Sequence, residues 1–185
     1  MNQFVDVQNL EIGGYSDLGR REHNEDAYLI DHELGLIIVA DGVGGHQSGE
    51  VASAITCNVL QREIASGSDL RQAIDRANTE VIAAVQTGRG KSGMGSTVGA
   101  VLMTRDGYEG AWVGGSRAYL WDGKLTLLTR DHSFVETQLA SGQISLEEAR
   151  THPRRHVILQ AVGSQTTGNL DVGRNSGKLA PNSCL

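Results

Sequence analysis

Proline is almost missing from this chain, with two in 185 residues. Nothing therefore punctuates the sequence into separately folding pieces, and no Pro-rich linker marks a domain boundary. Cysteine is equally scarce. Cys57 and Cys184 stand far apart and neither belongs to a metal-ligand spacing, so the pattern fits free thiols in a reducing cytoplasm. No apolar run approaches the roughly 20 residues that a bilayer span requires, and the opening MNQFVDVQNLEIGG lacks the basic and apolar regions of a signal peptide. Basic residues are not in excess. Sixteen Lys and Arg against 22 Asp and Glu leave a net charge of −6, without a basic stripe to neutralise nucleic-acid phosphates. Aromatic residues make up only 4%, so aliphatic side chains must build the core. The expectation is a single domain over residues 1–185, monomeric and cytoplasmic, with neither membrane nor nucleic acid as partner.

What is present is a series of short apolar runs separated by turns. A first strand is expected around Ile12–Ser16, followed by a polar loop. Tyr28–Ile30 and Leu36–Ala40 predict a hairpin joined by His32-Glu33-Leu34-Gly35. From Glu50 the pattern turns helical until Ser66-Gly67-Ser68 stops it. Asp69 with Gln72 predicts a capping box, and Leu70, Ile74, Ala77, Val81 and Val85 form the apolar stripe of a second helix. Thr97–Thr104, Tyr108–Val113, Arg117–Trp121 and Lys124–Leu128 are β-type runs. Ser145 and Glu148 make another capping box, opening a short helix that Pro153 stops. Strands, two helices and then a strand meander predict an α+β fold with an antiparallel sheet.

The chemistry centres on IIVADGVGGHQSGE. Asp41 emerges at the end of a buried apolar strand, and Gly42, Gly44, Gly45 and Gly49 let the backbone approach a ligand closely. A phosphate-cradling P-loop would need a Lys followed by Ser or Thr, which is absent, and a dinucleotide fingerprint lacks its third glycine because Gln47 stands there. The remaining option is a hard divalent cation held by the Asp41 carboxylate and a backbone carbonyl. Glu25 and Asp26, in GRREHNEDAYLID, precede the strand that pairs with Leu36–Ala40, so the ladder brings them to the same sheet end as Asp41. Arg21 lies four residues before Glu25 and offers a guanidinium fork to a phosphate.

The ordered segments GRREHNEDAYL, VADGVGGHQSGEVAS, GSTVGAVL, VGGSRAYLWDGKL, LTRDHSFVETQLASGQIS and HPRRHVILQAVG resemble the motif series of the metal-dependent PPM protein phosphatases, the PP2C-like serine/threonine type in its bacterial form. The resemblance runs from Ile12 to about Gly163. It implies a four-layer α/β/β/α sandwich of two antiparallel sheets flanked by helices, and two Mn²⁺ or Mg²⁺ ions that activate water against phosphoserine or phosphothreonine. Phosphorylated proteins would be the substrates, and a cognate Ser/Thr kinase the opposing partner. By position, Asp41 matches the aspartate bridging both ions, Gly42 the carbonyl donor, Glu25 and Asp26 the supporting acidic pair, and Arg21 the phosphate-binding arginine. His46 is a candidate acid/base group, with a turn-stabilising role as its alternative. A flap spans about residues 129–160, with His132 and His152 as part of its structure.

Two departures qualify that resemblance. The family's GDSR stands here as Gly114-Gly115-Ser116-Arg117, so Gly115 replaces a metal-binding aspartate. The segment GRNSGKLAPNSCL ends at Leu185 just where another apolar strand is expected to begin, so the last strands and helix of the sandwich, with two later aspartates, are expected to be missing. These departures predict weak metal binding, little activity and a tendency to aggregate. They also keep alive a catalytically impaired pseudophosphatase that binds phosphoproteins.

Overall fold

The hydrophobic alternation of Leu36–Val43 places Leu36, Ile38, Ala40 and Gly42 inward and turns Val39 and Asp41 outward. This strand, β2, pairs antiparallel with β1 (Asp26–Asp31) in the expected hairpin. The turn is made locally: Asp31 Oδ1 accepts from the Glu33 and Leu34 amides, and Gly35 takes the positive φ of 64° that closes it. The computed structural model describes residues 11–44, 48–164, 170–180 and 182–185.

Helix α1 (Ser48–Ala65) and helix α2 (Leu70–Gln86) cover the inward face of the sheet. The Asp69–Gln72 capping box is present at α2, where the Asp69 side chain accepts from the Gln72 amide at 2.8 Å. Leu60, Ile74 and Val81 from the helices meet Leu36, Ile38 and Val98 in one core. Burying each such side chain contributes about 1.5–3 kcal/mol, which is why this stripe dictates the packing.

Beyond the helices follow β3 (Gly95–Ser96), β4 (Val98–Thr104) and β5 (Gly107–Val113). Next come β6 (Tyr119–Trp121), β7 (Leu125–Leu127), α3 (Phe134–Ala140), α4 (Leu146–Thr151) and β8 (Gly173–Lys178). The main sheet runs β1-β2-β4-β5-β8, with β3 extending the pairing of β2, and β6 and β7 form a second antiparallel sheet. Antiparallel sheets flanked by helices are the α+β architecture the sequence predicts. In the 129–160 segment, Ser133 caps α3 and the Ser145–Glu148 box caps α4. The segment is tied down where Leu159 N–H donates to the His132 carbonyl (2.7 Å) and His132 N–H to that of Gly114 (2.9 Å).

Two local expectations need correction. Residues 11–18 form no strand. Gly13-Gly14 weakens any extended run, and Gly14 instead lies against the Tyr28 ring so closely that a Cβ there would enter it. Strand β8, GRNSGK, has no apolar alternation and was not foreseen. Its ladder with β5 works because Gly173 and Gly177 leave space for the rings of Trp112 and Tyr108.

Candidate active site

The carboxylates meet because of ladder register. Asp26 is the first residue of β1 and its partner across the ladder is Asp41. Asn24 Oδ1 accepts from the Asp26 amide (3.0 Å), fixing the entry to the strand. One residue earlier, the Glu25 carbonyl accepts from Gly42 N–H (3.1 Å) and from the Ser53 hydroxyl of α1 (2.7 Å). The approach is possible only with glycines: a Cβ on Gly42 would strike the Gly49 and Glu25 carbonyls, and one on Gly49 would sit 2.8 Å from the Glu25 carboxyl carbon.

Arg21 is held only loosely at the site. Its side chain is 76% exposed, and a single 3.5 Å contact with Glu25 Oε2 holds it. The Glu25 side chain is only 14% exposed. Arg117 is locked instead, donating to both Asp131 oxygens at 2.6–3.2 Å, and this pairing pushes its pKa further up.

A cleft of about 760 Å³ is lined by Arg21, Glu25, Asp41 and Gly42. Gly115, Ser116, Arg155 and His156 line it as well. The Asp41 carboxyl is held above its ordinary value, first by partial desolvation at the cleft floor and then by the Asp26 charge and hydrogen bond. Arg21 opposes the rise and Glu25 adds to it. An acidic end whose leading member resists ionisation favours a neutralising cation. Among the described residues, however, no three His, Cys, Asp or Glu side chains converge in a metal-holding group.

Sequence reasoning thus placed Arg21, Glu25, Asp26, Asp41 and Gly42 together, as the structure does. Gly115 lines the same cleft, and a Cβ there would meet only Ile158 Cγ2 at 3.6 Å, an ordinary contact. His46 lies outside the described residues. His132 does not line this cleft: its Nδ1 accepts from Gly114 N–H (3.2 Å) and burial lowers its pKa. His152 packs on Phe134 with ring centroids 5.3 Å apart. Thr97, Ser116 and Asp131 were not singled out. Their signal was present in GSTVG, GGSR and TRDHS, yet nothing local shows that these segments meet.

A family profile for protein phosphatase 2C matches residues 13–161. The chain belongs to the protein phosphatase 2C family. It is a PPM-type protein serine/threonine phosphatase, and its relatives are bacterial. The serine/threonine phosphatase stp of Listeria monocytogenes is 35% identical over 173 residues, an alignment covering 84% of this chain and 68% of that one. The crystal structure of the Mycobacterium tuberculosis serine/threonine phosphatase PstP/Ppp superposes with a TM-score of 0.79 at 32% identity, covering 88% of this chain and 70% of that one. The catalytic domain of PstP in complex with two manganese ions gives a TM-score of 0.71 at 31% identity, covering 88% and 69%. PP2C-like residues of this chain thus span about two thirds of their relatives. Among the described residues, no helix is long and apolar enough to cross a membrane.

Proposed function

We propose that this PP2C-family chain hydrolyses phosphoserine and phosphothreonine in proteins, using water activated at a two-cation site built on Asp41. The observation that carries this reading is the opposition of Asp26 and Asp41 in one ladder rung, with the exposed Arg21 in the same cleft as Asp41.

The donor chemistry fits a hard cation. Carboxylates and a strand-end carbonyl are its preferred ligands. Asp41 would hold Mn²⁺ or Mg²⁺ directly, with the Gly42 carbonyl beside it and Asp26 and Glu25 supporting through water. Bound there, the ions supply Lewis acidity, making water more acidic and offsetting charge on phosphoryl oxygens. Arg21 contributes the fork that binds and orients the phosphate, for which its exposure leaves it free. The Arg117–Asp131 pair braces another part of the cleft lining. Phosphorylated proteins and an opposing Ser/Thr kinase would be the partners, and the cytoplasm the setting.

A second reading, a phosphoprotein-binding module without turnover, is favoured by Gly115, which offers no side chain to a cation, while the nearby Asp131 carboxylate is already paired with Arg117. One experiment separates the two. Purified protein is given Mn²⁺ and a phosphothreonine peptide, and released phosphate is followed for the wild type and for Asp41→Ala. Release that disappears in Asp41→Ala supports hydrolysis. Peptide binding without release supports the second reading, and equal release by both proteins overturns the role of Asp41.

A further inference from the structure

The β2 ladder changes character at one rung. Gly42 pairs with Ser96 and Val39 with Gly99, so continuous register sets Asp41 opposite Thr97. A regular rung of this kind exchanges two backbone bonds. Here only one is made, from Thr97 N–H to the Asp41 carbonyl at 2.8 Å. The Asp41 N–H donates instead to the Thr97 hydroxyl at 3.1 Å, and the Thr97 carbonyl is taken by the Ser96 hydroxyl at 2.7 Å. A side chain stands where the backbone would have served.

That hydroxyl has a second partner, Ser116 Oγ, at 2.7 Å. Thr97 is 4% exposed, and it lines the cleft together with Ser116. Two glycines let the loop settle there. A Cβ on Gly114 would lie 2.8 Å from Thr97 Cγ2, and one on Gly99 would lie 3.3 Å from Ser116 Cβ. The Thr97 oxygen accepts from the Asp41 amide, and either hydroxyl of the Thr97–Ser116 pair can donate to the other, so the contact holds with the proton on either side.

We infer that Thr97 is a positioning residue for Asp41, its hydroxyl clamped between the Asp41 amide and Ser116 so that the carboxylate end and the Gly115–Arg117 wall keep one relative placement. The inference rests on the proposed cation role of Asp41. Its consequence is that cation affinity depends on a hydroxyl that touches no cation, as second-layer groups do when they orient ligands.

The test is Mn²⁺ binding by calorimetry on the whole chain, with metal-free unfolding midpoints as the folding control. Thr97→Val keeps the shape and removes the oxygen, and should weaken Mn²⁺ binding about tenfold, the low end for such groups. Thr97→Ser restores the hydroxyl and should stay within about twofold of wild type, because the orienting bond is kept. Ser116→Ala leaves Asp41 and Thr97 in place and should also weaken binding, which keeps the idea testable if Thr97→Val does not fold. Wild-type affinity in Thr97→Val or in Ser116→Ala, or equal loss in Thr97→Val and Thr97→Ser, overturns it. Asp41→Ala separates the two levels. Unchanged Mn²⁺ binding there defeats the proposed function itself, whereas loss in Asp41→Ala alone defeats only the role of Thr97.

Discussion

Asp26 and Asp41 face one another across the β1–β2 ladder, at the rung where β1 begins. Partial burial first, and then the like charge of Asp26 directly opposite, hold the Asp41 carboxyl above its ordinary value of 3.8. The folded chain therefore binds more protons than the unfolded one across that window. Metal-free stability should fall as pH rises from that ordinary value through the elevated one. Asp41→Asn should flatten this dependence and melt a few degrees higher than wild type at neutral pH. Mn²⁺ should raise the melting midpoint of the wild type but not of the variant. Thermal melts across pH, with and without Mn²⁺, check both outcomes.

Arg21 and Arg117 should separate cleanly. Losing a charge-assisted contact to phosphate costs about 1.5–3 kcal/mol, so Arg21→Ala should raise KM for p-nitrophenyl phosphate on the order of 10- to 100-fold with little change in melting. Arg117→Ala leaves Asp131 without its bidentate partner and should lower the melting midpoint more than it changes KM. The reverse assignment of the two effects would contradict the proposed roles.

Gly115 and Gly42 line the same cleft but differ in tolerance. Gly115→Asp makes only an ordinary contact with Ile158 and should fold as wild type while tightening Mn²⁺ binding, read by calorimetry. Gly42→Ala drives a methyl into the Gly49 carbonyl and should cost about 3 kcal/mol or more, measured by urea denaturation.

Ser145→Ala removes the N-cap of α4 and should cost about 1 kcal/mol locally. Hydrogen exchange should quicken over 145–151 while the amides of β2 and α2 keep their protection. Global loss of protection would show that the segment is coupled to the core.

Much of this was legible because the deciding signals were short in range. The Asp69–Gln72 box and the Leu70–Val85 stripe lie within one helix, and the β1–β2 turn fixes which acids meet. Strand β8 was hidden because its glycines derive their meaning from Trp112 and Tyr108 on another strand. The same limit applies at the site. Glu25, Asp26 and Asp41 are joined by one hairpin, but the Thr97–Ser116 contact crosses 19 residues and depends on two glycines in separate elements. Ile12–Ser16 misled because apolar side chains beside paired glycines look like a strand until a ladder partner is needed.

Helix α3 buries none of its side chains and α4 only Ala149, and each begins at a serine of its own. Substitutions along them therefore leave the interior almost undisturbed. A stretch that buries so little can be rebuilt residue by residue, as a sleeve is altered without touching the seams of the coat.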